Sequence, residues 1–131
     1  MPLDERTEKN LIGVHPDLAR VVRRAAELSD TPFVVTEGLR TMKRQRELVA
    51  AGASKTLRSR HLTGHAIDFA PLVGGEVTWK WPPFALVAAA FKRAAAELAV
   101  PIGWGGDWRS FRDGPHIELD RKAYPAQKEA A

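Results

Sequence analysis

Ser59-Arg60-His61-Leu62-Thr63-Gly64-His65-Ala66-Ile67-Asp68 and, much further on, Asp113-Gly114-Pro115-His116 are the stretches on which the reading of this chain turns. His61 and Asp68 are seven positions apart. On one continuous strand they would point to opposite faces, because side chains alternate with period two. A turn near Gly64 must therefore bring them together, and glycine permits it. Ala66 to Ala70 then reads as a strand, stopped by Pro71 and a Gly74-Gly75 turn. An ionised Asp68 between Ile67 and Phe69 is costly there without a partner or a metal. Pro115 beside Gly114 argues against a helix, so His116 arrives from another strand, around 116–119, and not from an HExxH helix.

Outward from this segment the periodicity changes. Leu18, Val21, Val22, Ala25 and Leu28 recur at helical spacing over residues 16–29, and Pro16 suits a first turn. Phe33-Val34-Val35-Thr36 reads as a strand. Thr41 caps a second helix over roughly 42–51 that ends at Gly52. Residues 53–63 read as a polar loop, and Pro82-Pro83 opens an Ala-rich helix to about Leu98. The tail from about residue 125 is expected to fray. Helices flanking a small, mainly antiparallel sheet make an α+β domain, without internal repeats.

The 131 residues fit a single domain, 1–131. A domain this long buries about two-thirds of its unfolded surface, enough to fold without staples. There is no Cys, so disulfides and thiolate metal sites are excluded, and any metal must use carboxylates and the four His: His15, His61, His65 and His116. Met1 to Arg6 shows no basic n-region followed by an apolar h-region, so the expectation is synthesis inside the cell without a signal peptide. The apolar run from Phe84 to Val100 is interrupted by Lys92, Arg93 and Glu97 and is too short to span a bilayer. A net charge of +4 favours an acidic partner without identifying it.

Two His and one Asp make a three-ligand zinc site with a fourth position left for water, the arrangement of catalytic zinc. Asp113 is the spare carboxylate such a site needs to take a proton from that water. These residues together imply a metallohydrolase.

The pattern Ser59-x-His61-x-x-Gly64-x-Ala66-x-Asp68 with Asp113-x-x-His116 resembles the zinc peptidases of the D-alanyl-D-alanine carboxypeptidase family, which share a fold with lysostaphin-type enzymes and the hedgehog domain. Within it the chain looks most like small phage endolysins with L-alanyl-D-glutamate peptidase activity. The resemblance runs from the helix at Pro16 through Glu37-Gly38-Leu39-Arg40-Thr41 to His116-Ile117-Glu118-Leu119. It implies His61, Asp68 and His116 as Zn2+ ligands and Asp113 as general base. It also implies Arg40 as the group that binds a substrate carboxylate or stabilises the oxyanion, with a salt bridge to Glu37 or Glu47 as the competing assignment. Gln45 and Ser59 match the pattern as weaker substrate-binding candidates, Gln45 bracing the loop and Ser59 fixing it by hydrogen bonds as alternatives.

The resemblance implies cleavage between L-Ala and D-Glu of the peptidoglycan stem by an enzyme made in the cytoplasm of a bacterial host that reaches the wall after release; a compact one-domain hydrolase is expected to be a monomer. A D,D-carboxypeptidase or dipeptidase, or a zinc-bearing wall-binding module without catalysis, remain alternatives. The basic residues Lys43, Arg44, Arg46, Lys55, Arg58 and Arg60 carry no recognisable nucleic-acid motif. Arg58, Arg60, Arg109 and Arg112 are expected to line a basic groove. Trp104 and Trp108 either line it or belong to the core. Asp107 is a candidate acceptor for a zinc His, and either Asp107 or Glu118 is the fallback base. His65 sits at a variable motif position and remains open as a ligand, whereas His15 belongs to the opening of the first helix.

Overall fold

The computed structural model describes residues 3–54, 56–110 and 112–125. In chain order the elements are helix α1 (Glu5–Asn10), α2 (Pro16–Leu28), strand β1 (Phe33–Glu37), α3 (Met42–Ala50), a 3-10 turn (Arg60–Thr63), β2 (Ala66–Val73), β3 (Glu76–Val77), α4 (Trp81–Leu98), β4 (Ile102–Trp104), a second 3-10 turn (Gly105–Asp107) and β5 (His116–Leu119). The strands run in the order β1-β2-β5-β4, with β3 a hairpin on the end of β2, and every pairing is antiparallel. This is the α+β architecture expected.

The helices form for local reasons and then bury one face each. His15 caps α2 by accepting the Asp17 N–H at its Nδ1 (3.1 Å), and Pro16 follows in the first turn. Leu18, Val21, Val22 and Ala25 are fully buried on one stripe of α2, which packs against α4. A buried aliphatic side chain of this size stabilises by roughly 1.5–3 kcal/mol. The alanines of α4 let the two helices approach closely. Phe91 of α4 meets Phe33 and Phe69 at 5.1 Å each, so the aromatic centre of the core joins α4 to β1 and β2. Thr41 caps α3 by accepting the Arg44 N–H.

The sequence reading is corrected in several places. Pro71 does not stop β2, which continues to Val73. Leu72 donates its N–H to Pro32 O at 2.8 Å, so Pro71, opposite Phe33, falls at a ladder position that asks no N–H of it. β3 and β4 are too short to signal themselves, and Gly103 in the middle of β4 weakens its strand pattern further; each pairs with the edge of a longer strand. α1 is added at the start, where Asp4 caps it and the Thr7 hydroxyl accepts the Val35 N–H at 2.9 Å. That contact ties α1 along β1, the outer strand of the sheet. Arg60–Thr63 turns out to be a 3-10 turn inside the expected loop. The expected fraying of the tail lies, from residue 126 on, outside the described residues, as does Lys55.

Two pairings position the site. Asp68 of β2 faces His116 of β5 on one side and Glu37 of β1 on the other, past an irregularity between Val35 and Glu37.

Candidate active site

His61 is delivered by the 3-10 turn. Ser59 caps this turn by accepting the His61 N–H at 3.2 Å. Gly64 closes it with φ of 75°, and a Cβ there would stand 2.4 Å from Gly13 O, so the left-handed corner requires glycine. The turn folds His61 back onto the side of Asp68. His61 Nδ1 donates to Gly38 O at 3.0 Å, which leaves Nε2 facing Asp68 Oδ1 at 3.2 Å.

His116 comes from β5, and its ring centre is 5.3 Å from that of His61. Its Nε2 donates to Glu118 Oε1 at 2.9 Å, and its Nδ1 faces Asp68 Oδ1 at 3.6 Å. One ligand atom from each of His61, Asp68 and His116 lies within 4.8 Å of the others. The three therefore present an N, O, N donor set, with both imidazoles held from behind by acceptors that fix the tautomer. A divalent metal fits this corner.

The protein's own charges act strongly here. Burial works to raise the Asp68 carboxyl, but its contacts with His116 and His61 outweigh it and hold it far below the usual carboxylate range. Burial likewise pulls His116 down, yet the Asp68 and Glu118 carboxylates win and push it up to about 9. Glu118, opposed by burial, is drawn down to about 2 by His116 and Arg121, the latter at 2.9 Å. Asp113 goes the other way. Burial raises it, and the nearby Asp68 charge adds to that against the pull of His116, His61 and Arg40.

Asp113 stands on the turn before β5, its N–H donating to Gly105 O at 3.0 Å and its own carbonyl accepting the His116 N–H at 3.2 Å. A Cβ on Gly105 would come within 2.3 Å of Asp113 O. That glycine thus serves a backbone crossing, not approach to a ligand. Asp113 shares a cleft of about 710 Å³ with the three-residue corner, and Arg40, Arg58, Trp108 and Arg112 are among its walls.

Arg40 is nearly buried and extensively used. It pairs with Glu37 through Nε, donates from Nη1 to Gln45 Oε1 (2.7 Å) and Ser59 Oγ (3.4 Å), and brings Nη2 to 3.8 Å from Asp68 Oδ2. It separates the Glu37 and Asp68 carboxylates that the strands set side by side. Of its five N–H groups, the two on Nη2 make no hydrogen bond among the described residues, and one side of Nη2 is turned toward Asp68.

Gln45 is corrected as a substrate-binding candidate. It is fully buried, and its amide donates to Ser54 Oγ (2.9 Å) and Thr56 O (2.5 Å) while accepting from Arg40. It braces the loop and orients Arg40. Ser59 is half-buried, and its hydroxyl caps the turn and accepts from Arg40. Arg60 is among the cleft walls, as expected, but its guanidinium is largely used within the protein. It is buried, donating from Nη2 to Leu119 O (3.0 Å) and Tyr124 O (2.8 Å). Arg109 is exposed but is not among the cleft walls.

Asp107 pairs with Lys92 at 2.7 Å and holds no His; the carboxylate behind His116 is Glu118. The signal was available, since residues 116 and 118 share one face of a strand. His65 joins Thr63 and the ring of His15, not the metal corner. Trp104 is core, its indole N–H donating to Gly114 O at 2.7 Å, whereas Trp108 lines the cleft 5.1 Å from the His116 ring.

The family model for phage L-alanyl-D-glutamate peptidase matches residues 1–127. The L-alanyl-D-glutamate peptidase of Escherichia phage T5 is 38% identical over 124 residues, covering 92% of this chain and 90% of that protein. The crystal structure of Serratia marcescens L-Ala D-Glu endopeptidase ChiX superposes with a TM-score of 0.90 at 54% identity, over 93% of this chain and 92% of that one. The vancomycin-resistance D,D-dipeptidase VanXYg, at 18% identity and a TM-score of 0.53 over 81% of this chain and 50% of that one, shares the fold.

Proposed function

Because the chain belongs to the phage L-alanyl-D-glutamate peptidase family, we propose that it acts as a zinc endopeptidase on the L-Ala–D-Glu bond of peptidoglycan stems. The observation that carries the reading is the corner of His61, Asp68 and His116 with Asp113 in the same cleft. His61 through Nε2, His116 through Nδ1 and Asp68 would hold the ion. Zinc supplies a Lewis acid for the scissile carbonyl and lowers the pKa of water to about 7.

Asp113 takes the proton of the attacking water and passes it to the leaving amine of D-Glu. Its raised carboxyl brings it nearer the working pH, which is what a general base requires. Arg40, fixed by Glu37 and Gln45, offers an N–H of Nη2 to the oxyanion or to a stem carboxylate, and such a donor is typically worth about 3–4 kcal/mol in the transition state. Glu37 and Gln45 are positioning residues. The chain works as one peptidase domain and a monomer, with the cell wall as its place of action.

Purified peptidoglycan incubated with the protein should lose turbidity and gain new D-Glu amino termini, and a chelator should stop both. Arg40→Ala should slow both with the metal still bound. Free D-Ala without new D-Glu amino termini would overturn the endopeptidase assignment in favour of a D,D-carboxypeptidase.

A further inference from the structure

Residues 73–86 carry an apolar surface that the catalytic corner does not use. Val73, Val77, Trp79, Trp81 and Leu86 are all exposed, Trp79 at 69%. An indole left in water forfeits a large part of the 150–250 Å² it normally buries. Contiguous exposure of this kind marks a binding surface.

The surface is continuous with the cleft. Gly114 follows Asp113 directly, and a Cβ on it would meet the Trp81 ring at 3.5 Å and the Phe84 ring at 3.4 Å. Trp79 stacks on Phe84 at 6.1 Å, one ring further out. Arg112, a cleft wall, lies over Trp81 at 4.6 Å and donates through Nε to Gly106 O. Its Nη groups have no protein partner among the described residues.

We propose that Trp79, Trp81 and Arg112 form a shelf that binds the glycan strand of peptidoglycan beside the cleft. The inference rests on the L-Ala–D-Glu reading above. In that substrate the cut L-Ala is joined through one lactyl unit to a sugar ring. The scissile carbonyl and the sugar are thus about 7 Å apart, taking roughly 3.5 Å for each unit. A sugar so close must touch the wall next to Asp113 or one opposite it. The Trp79–Trp81 wall has what a saccharide takes: the exposed indole of Trp79 for its C–H faces and, stacked on Trp81, the Arg112 guanidinium N–H groups for its hydroxyl and acetamido oxygens. A lipid surface fits less well, since 73–86 carries only Lys80 as a cation, with Glu76 against it.

The test compares a disaccharide-linked stem peptide with the same peptide lacking sugar. For the native protein kcat/KM should favour the disaccharide form, and Trp79→Ala should cut that preference about tenfold, chiefly through KM, with Trp79→Tyr restoring most of it. Because Trp79 is mostly exposed, the fold should survive the change, and thermal unfolding checks this. Peptide-free glycan strands should also alter the native tryptophan fluorescence, and less so in Trp79→Ala. An unchanged preference in Trp79→Ala would overturn the shelf while leaving the peptidase reading intact. So would a response to anionic vesicles, or to self-association, in place of glycan. A native protein that cuts neither peptide would overturn the peptidase reading itself.

Discussion

His61 and His116 face the same carboxylate, Asp68, yet the two halves of the chain hold them by different means. His61 rests on backbone: the Gly38 carbonyl fixes its Nδ1, and the Ser59 hydroxyl and the Gly64 corner fix its turn. His116 rests on charge: Glu118 takes its Nε2, with Arg121 at 2.9 Å and Arg60 at 3.8 Å behind that carboxylate. A neutral clamp sets direction alone. A charged clamp also adds to proton affinity: Asp68 first and then Glu118 push His116 up to about 9 against the pull of burial. A metal entering this corner must therefore displace a proton from the His116 side.

The largest effect should come from deleting either imidazole. His61→Ala and His116→Ala should each lose the metal and reduce hydrolysis to the level of chelator-treated protein. Elemental analysis checks this, and full occupancy in either variant would break the equivalence of the two halves. Both variants should also lose the stabilisation that metal binding gives the native state.

Asp113→Asn should be next, with turnover down about 100- to 10,000-fold while the metal stays. Asp113 also has a stability signature in chelated protein. Its folded pKa is raised, so the carboxyl favours the native state below the unfolded value near 3.9 and loses that contribution as pH rises through the folded value. Asp113→Asn should therefore match the wild type in acid and be the more stable at neutral pH. Equal stability at both would mean that Asp113 is not desolvated in the cleft.

Glu118→Gln addresses the charged clamp alone. Metal affinity above pH 9 should weaken about 10- to 100-fold, as when an outer partner of a ligand His is lost. The deficit should narrow as pH falls, because His116 without the Glu118 charge holds its competing proton less tightly. A deficit independent of pH would show that Glu118 orients the ring and does not set its charge.

The ligand corner was legible because its residue types have few other reasons to occur together: His61, Asp68 and His116 around a required turn in a Cys-free chain. The clamps behind them were not. Gln45 reads as an ordinary polar position of an exposed helix, and only the tertiary fold buries it under Arg40. Arg60 reads only as a groove cation; it does line the cleft, but sequence cannot show that its Nη2 is held by the Leu119 and Tyr124 carbonyls. Local signals do fix α2, α3 and the long strands, since period and caps agree there. They miss β3 and β4, whose few residues are strands only by virtue of a neighbour.

The smallest effect should come from His65, which lies in the same motif as His61 and four residues from it. Its Nδ1 pairs with the Thr63 hydroxyl at 2.6 Å, and its ring stands 5.6 Å from that of His15, on the side closed by Tyr124. Burial first, then the Arg60 charge and the neighbouring His15 ring, keep its pKa below 6.5. The folded protein then binds fewer protons at this site than the unfolded chain, so the native side chain costs stability as pH falls through the unfolded value of about 6.5. His65→Ala should keep the metal, hold turnover within about twofold, and gain stability relative to the wild type only on the acid side, a shift of less than roughly 1 kcal/mol. Denaturant unfolding at pH 5 and pH 8 with metal analysis of the same samples measures all three. Loss of the metal from His65→Ala would make the His61–His65 pair the ligand unit and undo the separation between a His held for chemistry and one held for packing.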